Sequence, residues 1–469
     1  MSDIKNLPNE LLEYIFRYAA TGVRPVGENQ ELPFSISASH VCRHWRELSL
    51  NTPGLWSRLN ISILRSWEEE RVRVCLERSR KALLDIRLSR HDWADGSSQQ
   101  DEASCSMKMP AFISLLLPHI HRWRTLAINI DPDRVDVDGP YIAVLKQLSD
   151  HSAPKLEYLH VSVIEPSRLR FGQFTPQPIE PILVQGASAL TRVRLRNVLA
   201  GEGCLPFQNV TTLDLGVSDK STSPAEYDDI KWVLGSSPHL EDLTLRGKLF
   251  TPDYNTSVIE LPFLRSLKVV LVPFWDPRYT GDLFTALSTP ALRTLELYAL
   301  SEDVLDGFIG AMTDSLPQPK YPILETFGLA SMDGPSEISD ELFAGMPDVR
   351  HLRLLDAASV DDLFGHLARN VAGRKPVGWL PLWPNLSTIT FLDYYGPSDF
   401  KPLGNFLRRR SQLNRGISTI RADSSPFHGL GWKSLRALRK VVEVEELDLE
   451  GERRKVATMQ EIDPDCWYE

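Results

Sequence analysis

Leu292-Arg-Thr-Leu-Glu-Leu-Tyr298 places apolar residues at Leu292, Leu295 and Leu297 and leaves Arg293, Thr294, Glu296 and Tyr298 in the variable places. Successive side chains of a strand point to opposite faces, so Leu295 and Leu297 share one face while Thr294, Glu296 and Tyr298 share the other. The same spacing recurs on both sides. Towards the N-terminus it is found at Leu264-Leu267-Val269, Leu240-Leu243-Leu245, Val210-Leu213-Leu215, Leu190-Val193-Leu195 and Leu156-Leu159-Val161. Towards the C-terminus it continues at Leu324-Phe327-Leu329, Val349-Leu352-Leu354, Leu386-Ile389-Phe391 and Val444-Leu447-Leu449, with a degenerate copy at Ile417 and Ile420. Trp123-Leu126-Ile128, Leu83-Ile86-Leu88 and Trp56-Leu59-Ile61 fit the same template. A proline often stands two residues ahead of the first apolar place.

Between the copies lie runs with helical spacing: Ile230-Val233-Leu234, Leu283-Phe284-Leu287, Leu305-Phe308-Ile309-Met312, Leu363-Phe364-Leu367, Leu403-Phe406-Leu407 and Leu435-Leu438-Val441. Ser223-Pro224-Ala225-Glu226 has the form of a capping box with proline at the first helical place, which predicts a helix start there. From Leu240 to Val444 the copies advance by about 29 residues each, at the long end of the leucine-rich-repeat period. The pattern resembles degenerate leucine-rich repeats. One strand and one helix cannot bury their shared apolar edge alone, whereas stacked neighbours form a continuous core. The implied fold is α/β, an irregular curved solenoid over residues 123–455 with parallel strands on its concave face, followed by a tail at 456–469. A conventional α/β domain would instead have strands apolar on both faces, without the polar residues seen here.

Ahead of the array, residues 7 to 59 read as helices. Leu11, Leu12, Ile15, Phe16 and Ala19 recur at three- and four-residue spacing after Leu7-Pro8-Asn9, where Asn6 or Asn9 can cap and Pro8 suits a first turn. A second amphipathic run points Ile36, Val41, Trp45 and Leu48 inwards and keeps Arg43, His44, Arg46 and Glu47 in water. Thr52-Pro53-Gly54 breaks the chain before Leu55 and Trp56. The opening Leu7-Pro8 with Glu10-Leu11-Leu12, the core Val41-Cys42-Arg43 with Trp45, and the trailing Pro53 with Leu55-Trp56 together resemble an F-box. Residues Thr21 to Glu31, rich in polar residues and glycine, form an insert where that family joins its first helices directly; they read as a loop. Fewer than about 60 residues bury too little surface to stand alone, so leftover apolar surface calls for a partner. The organisation is thus an all-helical F-box at 1–60, a connecting segment at 61–122 that can hold the first repeats, and then the solenoid. Residues 91–108 lack periodicity and read as a mobile loop.

Hydrophobic residues make up 42% of the chain and charged ones 24%, enough for a large core. A formal charge of -10 argues against nucleic-acid binding through a basic surface. Cys42, Cys75, Cys105, Cys204 and Cys466 are scattered and odd in number, which fits a reducing compartment, and no apolar run reaches the length of a membrane span. The expectation is a protein of the cytoplasm or nucleus. No nucleophile elbow, zinc-protease helix or phosphate loop occurs, so neither enzymatic activity nor a cofactor or metal is expected. His40 and His44 with Cys42 read as a solvated helix face, His119 and His121 as helix-end residues stabilised by the dipole, and Arg408-Arg409-Arg410 as a wet helix face.

The resemblance to F-box proteins with degenerate leucine-rich repeats, of the fungal type, implies a substrate receptor of a cullin-based ubiquitin ligase. The F-box would dock on a Skp-family adaptor through Leu7, Pro8, Leu11, Leu12, Ile15 and Trp45, with the cullin engaged indirectly. The solenoid would hold an unknown protein substrate. The alternative is a Skp-binding scaffold outside any ligase, and a hydrolase hidden in the solenoid would need a pocket of polar groups with perturbed pKa. On the strands, Arg265, Lys268, Arg293, Tyr298, Arg350, His351 and Arg353, with Tyr394 and Tyr395, are the arginine and aromatic anchors expected for the substrate, on a face that can be locally positive.

Overall fold

The computed structural model describes residues 7–21, 34–62, 68–89, 108–130, 140–163, 176–179, 181–218, 225–251, 257–271, 277–332, 338–355, 361–371, 381–392, 401–422, 439–440 and 442–447. The chain divides at Val210 and Thr211 into two units. The insert after Thr21, most of the loop at 91–108, the stripe at Leu435 to Val441 and the tail lie outside the described residues, wholly or nearly so.

In the first unit the opening helix spans Asn9–Thr21, and the Pro8 carbonyl accepts the amides of Leu11 and Leu12 at 3.1 Å each. Pro8 therefore stands ahead of the helix, not in its first turn. Leu12 and Phe16 are fully buried, and the Phe16 ring meets Phe34 at 5.6 Å and Trp45 at 4.7 Å, both edge-on. The second run is two helices, Phe34–Ser39 and Arg43–Asn51, separated at His40 to Cys42. Cys42 caps the latter, its Sγ accepting the Trp45 amide at 3.4 Å. Because Val41 sits in that break, it is exposed and not inward as its spacing suggested. A 3-10 turn, Pro53–Trp56, then buries Trp56, whose Nε1 donates to the Ser49 carbonyl at 2.8 Å beneath the guanidinium of Arg78, 4.3 Å from the ring centroid.

Trp56 is also the first apolar place of the first repeat. The strands Arg58–Ser62, Leu84–Ser89, Trp123–Ile130, Tyr158–Val163 and Arg192–Arg196 pair in parallel in chain order, so the stretch read as a connector carries strands of the array. Their register aligns Leu59, Ile86, Leu126, Leu159 and Val193 in one row and Ile61, Leu88, Ile128, Val161 and Leu195 in the next, all buried. At the second strand the buried place falls on Leu84, with Leu83 half-buried, beside a register shift between Leu84 and Asp85. Helix Glu68–Arg78 packs behind, and the buried Arg122 ties its end down, donating to the carbonyls of Leu76 and Ala82 and to Ser79 Oγ at 2.9–3.1 Å.

The second unit repeats the design with strands Thr212–Gly216, Asp242–Arg246, Ser266–Val270, Thr294–Leu300, Thr326–Met332, His351–Leu355, Thr388–Leu392, Thr419–Ala422 and Glu443–Glu446, again parallel in order. Leu213, Leu243, Leu267, Leu295, Phe327, Leu352, Ile389 and Ile420 share one register row, and Val444 joins it opposite Ile420. Val444 thus takes the second apolar place and not the first, which corrects the register of the last copy by three residues.

Helices Tyr227–Gly235, Pro277–Ala286, Glu302–Ser315, Asp340–Ala344, Asp361–Asn370 and Lys401–Gln412 supply the other half of the core. Their phenylalanines reach the strands: Phe308 stacks on Phe327 at 6.2 Å, and Phe364 lies 6.3 Å from Phe391 and 5.8 Å from Phe406. The expected helix start at Ser223 is displaced. Ala225 bridges to Phe250 as extended chain, Glu226 caps without a side-chain bond, and the helix begins at Tyr227, because pairing with a neighbouring repeat outweighs the local capping signal. Nor is every repeat a strand plus a helix. Ahead of Ser266–Val270 the described residues hold the two-residue strand Ile259–Glu260, paired with Leu287–Ser288, so Leu287 leaves the helical stripe it was read into. No helix among the described residues is long and apolar enough to cross a membrane.

Candidate interaction surfaces

The first surface lies on the opening helix. Its apolar residues divide: Leu12 and Phe16 enter the core, whereas Leu11, Tyr14, Ile15 and Tyr18 are 51%, 70%, 42% and 74% exposed. These four are spaced i, i+3, i+4 and i+7, which is one continuous helical face. Buried apolar side chains each contribute roughly 1.5–3 kcal/mol, so an exposed apolar stripe of this size has the composition of an interaction surface. Leu12, one of the residues assigned to the adaptor, is consumed by the segment's own core. Trp45 is half-buried against Phe16, Leu7 is half-buried, and Pro8 is exposed beside the helix start. Tyr14 and Tyr18 were not singled out from sequence, although their spacing from Leu11 carried the signal.

The second surface is the strand face of the second unit that points away from the buried leucines. Register brings Lys268, Glu296, Gly328, Arg353, Thr390 and Arg421 into one row. Arg353 pairs with Glu296 two strands away, directly across Gly328. A Cβ at Gly328 would stand 2.9 Å from Glu296 Cγ, so the missing side chain is what lets the ion pair cross. Tyr298 Oη donates to Glu296 Oε2 at 3.1 Å, and Lys268 Nζ lies 4.3 Å from the centroid of the Tyr298 ring, a cation–π contact. Burial first, and then the charge of Glu296, push the Tyr298 hydroxyl pKa up, so it stays a donor. His351 Nε2 is 2.7 Å from Thr390 Oγ1, and burial, followed by the charges of Arg353 and Arg421, lowers its pKa to about 4, leaving it neutral near pH 7.

Lys268, Tyr298, His351 and Arg353 are thus brought together, while Arg265, Arg293 and Arg350 form an exposed row at the starts of the strands. Tyr394 and Tyr395 lie outside the described residues. Arg265 faces Glu241 at 3.5 Å, Arg293 faces Glu325 at 2.5 Å and Arg421 faces Glu445 at 2.8 Å, so much of the basic charge is answered within the sheet.

The remaining polar clusters have structural roles. His40 belongs to a turn, not to the helix of His44, and no His, Cys, Asp and Glu group fit for a metal occurs among the described residues. Burial and neighbouring Arg122 lower the His119 pKa, so its place at the end of the 3-10 helix Leu117–Arg122 does not hold a protonated ring on a dipole. Arg410 is not on a wet face. It is fully buried and donates to the carbonyls of Leu382, Trp383, Pro384, Leu386 and Arg415 at 2.8–3.4 Å.

Against this geometry, the F-box-like family matches residues 4–62 and no more of the chain. No curated protein matches. Among solved structures, a leucine-rich-repeat protein of Leptospira interrogans is similar at 10% identity over 75% of this chain and 97% of its own, with a TM-score of 0.18, too low to carry weight beside the register above. The chain therefore carries an F-box-like domain at its N-terminus, followed by parallel strands and helices stacked as in leucine-rich repeats.

Proposed function

We propose that the protein is a substrate receptor of a Skp–cullin–F-box ubiquitin ligase of the fungal type, acting in the cytoplasm or nucleus without catalysis of its own. F-box domains generally bind Skp-family adaptors. The observation that carries the reading is the exposed apolar face of Leu11, Tyr14 and Ile15 inside the F-box-like segment. Such a face, with Leu7 and Pro8 beside it, suits a helix-in-groove or helix-on-helix partner. The array supplies a second surface for the protein to be modified, and holding both on one chain would convert a bimolecular encounter into a positioned one.

The test is capture of a Skp-family adaptor, and then of a cullin, by the full chain. Leu11→Asp with Ile15→Asp should abolish adaptor capture while far-ultraviolet circular dichroism stays unchanged, because both side chains are exposed. Undiminished capture would sink the reading. Adaptor capture without any cullin would leave a Skp-binding scaffold instead.

A further inference from the structure

The turns that lead into the strands of the second unit share one construction. Leu240, Leu264, Leu292 and Leu324 each donate their amide to the carbonyl three residues back, at 3.1–3.4 Å. Pro238, Pro262, Pro290 and Pro322 fill the second place, where a fixed φ suits the turn, which explains the prolines that precede the copies. The third place accepts varied chemistry: exposed His239 stands there in one turn, 6.5 Å from the Phe263 ring, and exposed Asn385 in another, donating to Asp348 at 3.1 Å. Yet Phe263 is 57% exposed and Ile323 is 39% exposed at that same place, with the half-buried Ala291 between them. Among the described residues of this unit, the large apolar side chains left exposed are Val258, Phe263, Ile323 and Leu413, and each belongs to a segment that leads into a strand.

Basic charge gathers beside this edge. From Leu240 to Arg246, Leu264 to Val270, Leu292 to Leu300, Leu324 to Met332 and Val349 to Leu355, Arg246, Arg265, Lys268, Arg293, Arg350 and Arg353 stand against Glu241, Asp242, Glu296 and Glu325. The whole chain has the opposite balance, with 62 acidic and 52 basic residues. Arg265 and Arg293 sit two residues beyond Phe263 and Ala291, and their partners Glu241 and Glu325 are exposed pairs of the kind that contribute little to stability. An incoming carboxylate can replace such a partner and gain the two-pronged geometry that arginine offers.

We propose that the lead-in edge from Phe263 to Ile323, with Arg265, Lys268 and Arg293 beside it, receives an acidic linear segment of the partner protein, apolar side chains on Phe263 and Ile323 and carboxylates on the arginines. Large apolar anchors next to arginine are the composition of binding hot spots. The identity of the partner as a substrate rests on the receptor reading above; the edge and its ligand chemistry do not.

The probe is a fluorescein-labelled, glutamate-rich peptide carrying phenylalanine and leucine, titrated with the full chain and followed by anisotropy. It should bind, and binding should weaken as salt rises, since exposed charges are screened within a Debye length of about 10 Å at 0.1 M. Phe263→Ser, and separately Arg265→Glu with Arg293→Glu, should each weaken binding by about tenfold or more. Arg421→Glu, on the same face but away from the edge, should leave binding unchanged. The proposal falls if the probe fails to bind, if the edge variants bind like the parent, if the Arg421 variant loses as much, or if a lysine-for-glutamate peptide binds equally. Binding only after the probe is phosphorylated would also overturn it. Adaptor capture is scored separately with Leu11→Asp and Ile15→Asp, so either result can fail without the other.

Discussion

The outer strand faces of the two units follow the same template and end differently. In the first unit, one outward row runs Asn60, Arg87, Ala127, His160 and Arg194; Asn60 is exposed and Arg87 half-exposed, but Ala127, His160 and Arg194, with Asn129 two residues beyond Ala127, are buried. In the second unit the corresponding row holds Lys268, Glu296 and Arg353, half-exposed, and Arg421, exposed, with only Gly328 and Thr390 of the row buried. The repeat pattern thus determines which side chains leave the leucine core. It does not determine whether they reach water. A shut face contributes to folding, and an open face is free to contribute to recognition.

Several changes would break or sharpen this contrast. The largest effect belongs to the shared template: Leu295→Asp buries an unpaired charge in a row of leucines and should destabilise the second unit by more than about 4 kcal/mol. Loss of hydrogen-exchange protection across Ser266–Val270 and Thr326–Met332 would show it, and intact protection would mean the register is wrong. Arg410→Met strands several buried carbonyls and should cost about 3 kcal/mol, read as faster exchange in Thr388–Leu392.

The contrast itself is tested by placing glutamate in the same outward row of each unit. Ala127→Glu should lower stability by about 3 kcal/mol and open the first unit to protease, while Lys268→Glu should stay within about 1 kcal/mol. Equal effects would erase the distinction between shut and open faces.

His351 gives the open face a pH response. Its native pKa, about 4, lies below the unfolded value of 6.5, so the unfolded chain binds the extra proton between them. Stability is then complete above pH 6.5 and is lost as pH falls towards 4, by at most about 2 kcal/mol between pH 7 and 5. Denaturant midpoints at the two pH values would measure it, and His351→Gln should flatten the difference. The smallest effect is Arg293→Ala, an exposed member of an exposed pair, which should shift stability by no more than about 0.5 kcal/mol.

Most of the array could be read directly because buried residues at fixed intervals leave a periodic trace that local context cannot erase. The exceptions have identifiable causes. Val444, Leu447 and Leu449 imitate a copy, but pairing with Ile420 selects Val444 as its second member. The capping signal at Ser223 gave way to the bridge between Ala225 and Phe250. On the opening helix, spacing marks Leu11 and Leu12 alike as apolar, and only packing against Phe34 and Trp45 decides which side is core. Within the triple arginine, Arg410 looked solvated since four of its five carbonyl partners lie 24 to 28 residues earlier, beyond any local pattern.

Those distant partners bear on how the chain can be divided. Arg410 closes the turn at Leu382 to Leu386, and Arg122 closes the one at Leu76 to Ala82, in each case from a later helical segment. A fragment cut just after Leu392 would keep every residue of its last strand and lose the group that satisfies the turn before it. The smallest severable piece of this array is therefore not the repeat. It runs from one turn through the strand to the arginine that fastens that turn, and truncations or grafts that respect this overlapping unit should stay soluble where cuts at strand ends do not.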